Sequence, residues 1–261
     1  DLLGRGPVDL YILELSSFQL ETTQRLALKA AAVLNVTSDH LDRYASLADY
    51  AAAKARIFTH CDTAVINLDD PLVVAMQHAT PRTFTYSLQT AAAADFSLAT
   101  NPALALGEAL RLPRAAMLEE LQEFAGLPHR TEWVADVDAV RYLNDSKGTN
   151  VGATLAAVAG LDGPLIVIAG GDGKRQDFAP LAAAFRGKVR LAVLIGRDAP
   201  TLAAVLADVC EVQQAATLES AVGLAHDAAQ AGDTVLLSPA CASVDMFRDY
   251  AHRGSVFMSA V

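Results

Sequence analysis

Residues 165–174 read Leu165-Ile166-Val167-Ile168-Ala169-Gly170-Gly171-Asp172-Gly173-Lys174. Five consecutive apolar residues closed by a glycine pair form the pattern of a strand buried on both faces. The glycines let backbone N–H groups approach an anion, and Lys174 adds charge beside them. The spacing is neither the GxxxxGK[ST] of a Walker A loop nor the GxGxxG of a dinucleotide-binding turn, so a dinucleotide oxidoreductase gains little support. Outward from this run the same grammar repeats. Candidate strands lie at residues 191–195 and 234–237, separated by Ala/Leu-rich helices. Before Pro128 they lie at residues 9–15, 31–36 and 63–68, with helix-like stretches such as residues 46–59 between them. This alternation predicts the α/β class with mostly parallel sheets. Ligands of such sheets sit beyond the carboxyl ends of the strands, which makes the polar residues after each apolar run the candidates.

Between the two series, residues 131–134 and 140–143 flank Asp136-Val137-Asp138, the pattern of a hairpin opening a second domain. A length of 261 residues suits two domains, and the boundary is placed near Gly126, giving residues 1–126 and 127–261. A formal charge of −10, from 20 basic and 30 acidic residues, argues against a nucleic-acid groove, which needs a clustered basic face. Small phosphates need only a few N–H donors or cations and remain open. Cys61, Cys210 and Cys241 are odd in number and far apart, so neither a disulfide framework nor a zinc cluster is indicated, and a reducing cytoplasm fits. No apolar run approaches the length of a membrane span, and no signal segment opens the chain. The chain starts without Met in what reads as a loop leading into a strand, so a preceding segment is expected.

Each candidate has a bland alternative. In Leu13-Glu14-Leu15-Ser16-Ser17-Phe18-Gln19-Leu20, Glu14 could hold Mg²⁺ and Ser16 could meet a phosphate, or the stretch is a helix cap with a solvated acid. In Asn35-Val36-Thr37-Ser38-Asp39-His40-Leu41-Asp42, His40 is either a metal ligand or part of a turn. Lys54, among alanines on a helix, reads by its own context as a solvated surface residue. Around residues 127–130 and 142–150, Arg130 and Lys147 could hold phosphate or carboxylate and Asp145 could accept ribose hydroxyls, with turn and capping roles competing evenly. Ser243, in Ser238-Pro239-Ala240-Cys241-Ala242-Ser243-Val244-Asp245-Met246-Phe247, stands where a strand gives way to a helix and could bind a carboxylate. Cys241 reads as an inert buried thiol.

Taken in order, LELSSFQLE (13–21), LNVTSDHLDRY (34–44), AAKARIF (52–58), GLPHR (126–130), LNDSKGTN (143–150), GGDGK (170–174) and SPACASVDMF (238–247), followed by Arg253-Gly254, resemble the motifs of the Mur ligases. LNDSKGTN resembles the branch that adds D-glutamate. The resemblance extends over nearly the whole chain. It implies a central ATPase domain, incomplete here, followed by a Rossmann-like C-terminal domain that binds the amino acid. It implies a cytoplasmic, monomeric, ATP-dependent ligase of peptidoglycan precursor synthesis. In that reaction the terminal carboxylate of UDP-N-acetylmuramoyl-L-alanine takes the γ-phosphate, and the amine of D-glutamate displaces phosphate from the acyl phosphate. Two Mg²⁺ ions would neutralise charge during the transfer.

On the same resemblance, Glu14 and His40 match metal ligands, and Lys54 matches a lysine whose carbamylation turns a cation into an oxygen ligand; these three are the implied catalytic set. Arg130, Asp145, His129 and Asn101 match the nucleotide side. Ser16, Lys147, Thr149, Lys174, Ser243, Val244 and Tyr250 match the substrate side, with Tyr250 standing where the family often has Phe. Two departures stand out. The family's UDP-binding domain and its GTNGK-type phosphate loop are expected upstream of Asp1. The family's HNxxN helix is expected before residues 103–112, where the chain runs Phe96-Ser97-Leu98-Ala99-Thr100-Asn101-Pro102 and leaves Asn101 as its remnant. Two further readings follow: a non-catalytic fragment that binds ligand or a partner, and a sister ligase adding another amino acid, which LNDSKGTN and SPACAS disfavour.

Overall fold

The structure, a computed structural model, describes residues 8–37, 43–76, 80–88 and 101–261. The chain divides into two compact units, one of Asp1–Val36 and Ser46–Glu123, the other of Thr37–Ala45 and Phe124–Val261.

In the first unit, α1 (Ser17–Thr22) precedes β1 (Ala31–Val33). Helix α2 (Leu47–Ala55) runs into a 3-10 turn (Arg56–Phe58), and β2 (Thr63–Asn67), α3 (Pro71–Val74), β3 (Arg82–Tyr86), α4 (Pro102–Ala109) and α5 (Arg114–Glu123) follow. The sheet is parallel in the order β1-β2-β3. Every residue of β2 is buried, as its unbroken apolar pattern requires for a central parallel strand. Val65 and Tyr86 of the sheet pack with Leu104 and Ala105 of α4. The expected strand at residues 9–15 is not formed. Leu10, Tyr11, Ile12 and Leu13 are exposed, Ile12 to 87%. A strand needs a ladder partner, and among the described residues β1 pairs only with β2, so residues 9–15 have no neighbour to satisfy their backbone groups.

The second unit opens with the hairpin of β4 (Glu132–Val137) and β5 (Val140–Asn144). Its turn falls on Asp138 and Ala139, at φ +51° and +61°, not on residues 136–138. A two-residue hairpin whose twist matches its strands needs left-handed backbone at both central positions. There follow α6 (Val151–Ala159), β6 (Leu165–Gly170), α7 (Ala179–Phe185), β7 (Val189–Ile195), α8 (Ala199–Leu206), β8 (Glu211–Gln214), α9 (Leu218–Ala228), β9 (Thr234–Leu237) and α10 (Tyr250–Ala260). The sheet order is β4-β5-β9-β6-β7-β8, parallel apart from the hairpin.

Strand alternation divides the core into two layers. Leu165, Val167 and Ala169 of β6 face the layer containing Leu181 and Phe185 of α7 and Leu202 and Leu206 of α8. Ile166 and Ile168 face the layer containing Leu218 and Val222 of α9 and Phe257 of α10. Helices therefore cover both faces, which is why β6 reads as a continuous apolar run.

Gly170 ends β6 at φ +118°, and a Cβ there would run into the Ile195 carbonyl oxygen. Gly170→Ala is expected to cost about 3 kcal/mol through backbone strain and forced separation of β6 from the end of β7. Urea unfolding of the variant checks this, and an unchanged midpoint would refute it.

Candidate active site

The ladder of the second unit continues past its strands. Asp145 N–H donates to Leu237 O at 2.7 Å, Ser238 N–H to Ile168 O at 3.2 Å, and Gly170 N–H to Pro239 O at 2.8 Å. The residues following β5, β9 and β6 are thereby drawn together at one edge of the sheet, the carboxyl end where this architecture binds ligands.

Asp145 is almost fully buried. Its Oδ2 accepts from Ser238 Oγ at 2.7 Å and its Oδ1 from Thr131 N–H at 3.2 Å. Burial pushes its carboxyl above the ordinary value, opposed by the Ser238 and Thr131 bonds and the nearby Arg130 charge. Gly148 closes the turn over it, with Gly148 N–H on Asp145 O at 2.8 Å. A Cβ at Gly148 would lie 2.5 Å from Asp145 Oδ2. Arg130 itself is exposed.

Asn144 is fully buried and fixes its neighbours. Its Oδ1 accepts from Ser146 N–H at 3.1 Å, so its Nδ2 is the group that meets His129 Nδ1 at 2.9 Å. That orientation leaves His129 Nδ1 as the acceptor and places the ring proton on Nε2. His129 sits edge-on to Tyr250 at 6.1 Å between centroids, and Lys147 Nζ lies 4.1 Å from the Tyr250 ring centre. An aromatic face so placed holds the lysine by cation–π attraction.

Arg253, on the same face of α10 as Tyr250, is fully buried. Its Nε donates to Ser146 Oγ at 3.0 Å, Nη1 to Cys241 O at 3.1 Å and Nη2 to Ser146 O at 2.9 Å. Burial lowers the guanidinium to about 10, so it remains charged at neutral pH. Ser146 Oγ in turn donates to Tyr250 O at 2.7 Å. Arg253 thus ties together residues 146, 241 and 250. The Cys241 thiol, buried and pushed up to about 12 chiefly by desolvation, stays protonated and is no nucleophile.

The glycine loop joins this cluster through Asp172 and Ala242, whose N–H groups each donate to the other's carbonyl, at 3.0 and 2.9 Å. Lys174 follows at φ +48°, its N–H on Asp172 Oδ1 at 3.0 Å. Ser243 is buried beyond Ala242, whereas Val244 is 66% exposed. Thr149 donates its N–H to Lys147 O at 2.8 Å. His129, Asp145, Lys147, Thr149, Lys174, Ser243 and Val244 therefore lie on loops meeting at this edge, and Tyr250 joins them from the first turn of α10. Asn144, Ser146, Ser238 and Arg253 escaped the sequence reading as site residues. Arg253 had a legible signal, since Tyr250, Arg253, Gly254 and Phe257 follow the i, i+3, i+4, i+7 spacing of an inward helix face.

In the first unit, Ser16 caps α1, accepting from Gln19 N–H at 3.3 Å while Gln19 Oε1 accepts from Ser16 N–H at 2.9 Å. Asn101 caps α4, with Oδ1 on Ala103 N–H at 2.8 Å. Glu14 is exposed just before α1. Lys54 Nζ donates to Asn35 O at 3.2 Å and lies 5.0 Å from the Tyr50 ring centre. His40 lies outside the described residues. Among those described, no three His, Cys, Asp or Glu side chains gather to hold a metal, and an ammonium offers a cation no lone pair.

Two family models match the chain: the Mur ligase middle domain over residues 3–105, and the Mur ligase, glutamate ligase domain over residues 129–241. The chain belongs to the Mur ligase family. Among curated relatives, the UDP-N-acetylmuramoylalanine–D-glutamate ligase of Nitrosococcus oceani is 48% identical over 294 positions, covering 100% of this chain and 65% of the relative. The enzyme of the same name from Methylobacillus flagellatus is 47% identical, covering 97% and 63%. The chain thus spans a little under two thirds of these relatives. The 294 aligned positions against 261 residues also mean that the alignment contains stretches of the first relative with no counterpart here. Among solved structures, MurF ligase from Thermotoga maritima in complex with ADP superposes with a TM-score of 0.65 at 14% identity, covering 89% of this chain and 61% of that one. UDP-N-acetylmuramate-alanine ligase from the same organism gives 0.62 at 15%, covering 94% and 61%. At such identities the likeness is one of fold.

Arg253→Met would leave Ser146 O and Cys241 O without their buried donors, and is expected to destabilise by about 3–5 kcal/mol. Arg253→Lys should recover part of that loss. Denaturant unfolding of both variants tests the point, and an Arg253→Met chain as stable as the parent would sink it.

Proposed function

We propose that this chain provides the amino-acid-binding domain, and part of the ATP-binding domain, of a ligase that joins D-glutamate to UDP-N-acetylmuramoyl-L-alanine in peptidoglycan precursor synthesis. The observation that carries this reading is the convergence of Lys147, Thr149, Lys174, Ser243 and Tyr250 at one sheet edge, in a chain 43–48% identical to relatives bearing that enzyme's name. In this reading residues 1–126 form the incomplete central domain and residues 127–261 the glutamate domain.

Two amines and a buried hydroxyl suit a ligand with two carboxylates. Lys147 and Lys174 neutralise them, Ser243 and Thr149 donate hydrogen bonds, and Tyr250 and Val244 supply apolar walls. Holding glutamate by its carboxylates leaves its amine directed at the activated acyl group, and exclusion of water protects the acyl phosphate from hydrolysis. Arg130, Asp145, His129 and Asn101 are assigned to the nucleotide, with Asp145 suited to ribose hydroxyls. ATP is the phosphoryl donor in this reading. Mg²⁺ is the expected ion, with Glu14, His40 and a carbamate on Lys54 as its ligands and Ser16 on the substrate side. The enzyme is expected to work in the cytoplasm as a monomer. No described helix is long and apolar enough to cross a membrane.

Calorimetry of this chain should show binding of D-glutamate and at least about tenfold weaker binding of L-glutamate and L-lysine. Phosphate release by the gene's full-length product, with ATP, Mg²⁺ and UDP-N-acetylmuramoyl-L-alanine, should depend on D-glutamate. A preference for another amino acid would overturn the specificity, and no release with any would favour a non-catalytic role.

A further inference from the structure

Asp198 occupies the N-cap position of α8, where an aspartate ordinarily accepts from the helix's own first N–H groups. Here it makes no such bond. Its Oδ2 accepts instead from Gly173 N–H at 2.6 Å, and its own N–H donates to Gly171 O at 3.0 Å. Beside it, Arg197 Nη1 donates to Asp172 Oδ2 at 2.9 Å, and Arg197 N–H donates to Asp245 Oδ2, also at 2.9 Å. Gly196, at φ +76°, packs so closely that a Cβ would lie 2.7 Å from Gly171 Cα. Three consecutive residues after β7 therefore grip the glycine loop on one side and the segment following Ser243 on the other.

The loop so gripped is under strain. Lys174 and Arg175 are consecutive non-glycine residues in the left-handed region, at φ +48° and +62°, an unfavourable conformation that persists only where the surroundings impose it. With Pro200 offering no N–H at the second position of α8, the Asp198 carboxylate turns to a loop whose own backbone breaks a local rule, and local rules are broken where function sets the geometry.

We infer that Asp198, with Arg197, is a positioning residue that holds residues 171–174 in register with the Ser243 loop and so sets the affinity for the amino-acid substrate, acting through Lys174 and not by contact. The inference rests on the reading that this loop binds D-glutamate. It reaches beyond that reading by assigning substrate affinity to a turn outside the binding loops.

The test compares Asp198→Ala, which removes the acceptor, with Asp198→Asn, which keeps an oxygen for the Gly173 N–H. D-glutamate affinity is measured by calorimetry, and amide exchange at Gly173 and Lys174 by NMR. Loss of a hydrogen bond to a charged group predicts about tenfold weaker binding and comparably faster Gly173 exchange in Asp198→Ala, with Asp198→Asn within about threefold of the parent in both. Parental affinity in Asp198→Ala, or equal losses in the two variants, overturns the inference. If the parent chain binds no D-glutamate, the functional reading fails on its own. The exchange arm then decides alone: Gly173 protection lost in Asp198→Ala and kept in Asp198→Asn sustains the holding role, and unchanged protection ends it. Should Asp198→Ala not fold, Arg197→Gln, at a side chain 64% exposed, takes its place. About threefold weaker binding is then expected, and parental affinity refutes the role.

Discussion

Asn144 and Ile168 stand in register on either side of Leu237, and the chemistry of the C-terminal unit depends on that row. Parallel strands in register end together and on the same side. The residues after them inherit a separation of one strand spacing, which is within reach of a side chain. Asp145 and Ser238 meet at 2.7 Å for this reason. The ladder does not stop at the strand ends. The bonds from Asp145, Ser238 and Gly170 to the neighbouring strands carry its regularity into the loops, so the site is placed by the same forces that form the sheet.

A second constraint concerns charge. Arg253 and Asp145 are both buried, and each uses neutral partners: two carbonyls and a hydroxyl for the guanidinium, a hydroxyl and an amide for the carboxylate. Burying either ion costs several kcal/mol, and bonds to neutral groups offset that only when every donor and acceptor is aimed. A network of this kind tolerates few alternative arrangements. It therefore specifies where the backbone of residues 145–148 and 241–243 lies more tightly than apolar packing would, and two glycines make room for it, Gly148 over Asp145 and Gly254 against His129.

Much of this was legible in the sequence, unevenly. Strands with both faces covered announce themselves as apolar runs, so β6, β7 and β9 were placed closely. Strand β3, reading Arg-Thr-Phe-Thr-Tyr, and the exposed edge β8 carry mixed polarity and gave no such signal. Residues 9–15 have the composition of a strand, yet composition cannot supply the neighbour a ladder needs. The loops of the second unit's candidate site are readable because chemistry-bearing residues follow apolar runs. Arg253 was harder, because a buried cation looks in sequence like a surface one until its helix face is counted. The choice between cap and ligand for Ser16 and Asn101 rests on where one oxygen points, and no spacing encodes that.

Those caps also sharpen the contrast with α8. Ser16, Asn101 and Asn150 obey the local rule, each oxygen accepting from the first turn of its own helix. Asp198 has the same residue chemistry at the same position and does otherwise. Local and tertiary causes combine: Pro200 at the second position of α8 has no N–H to offer, Asp198 stands at φ −93° and ψ 11° where the other three caps are extended, and the Gly173 N–H, in a loop whose following residues are left-handed, finds its acceptor in Asp198. A helix end can lose one cap at modest cost because water reaches its N–H groups. A tight loop beside a buried network has no such reserve. The oxygen therefore sits where its absence would cost more, on the Gly173 N–H of the glycine loop.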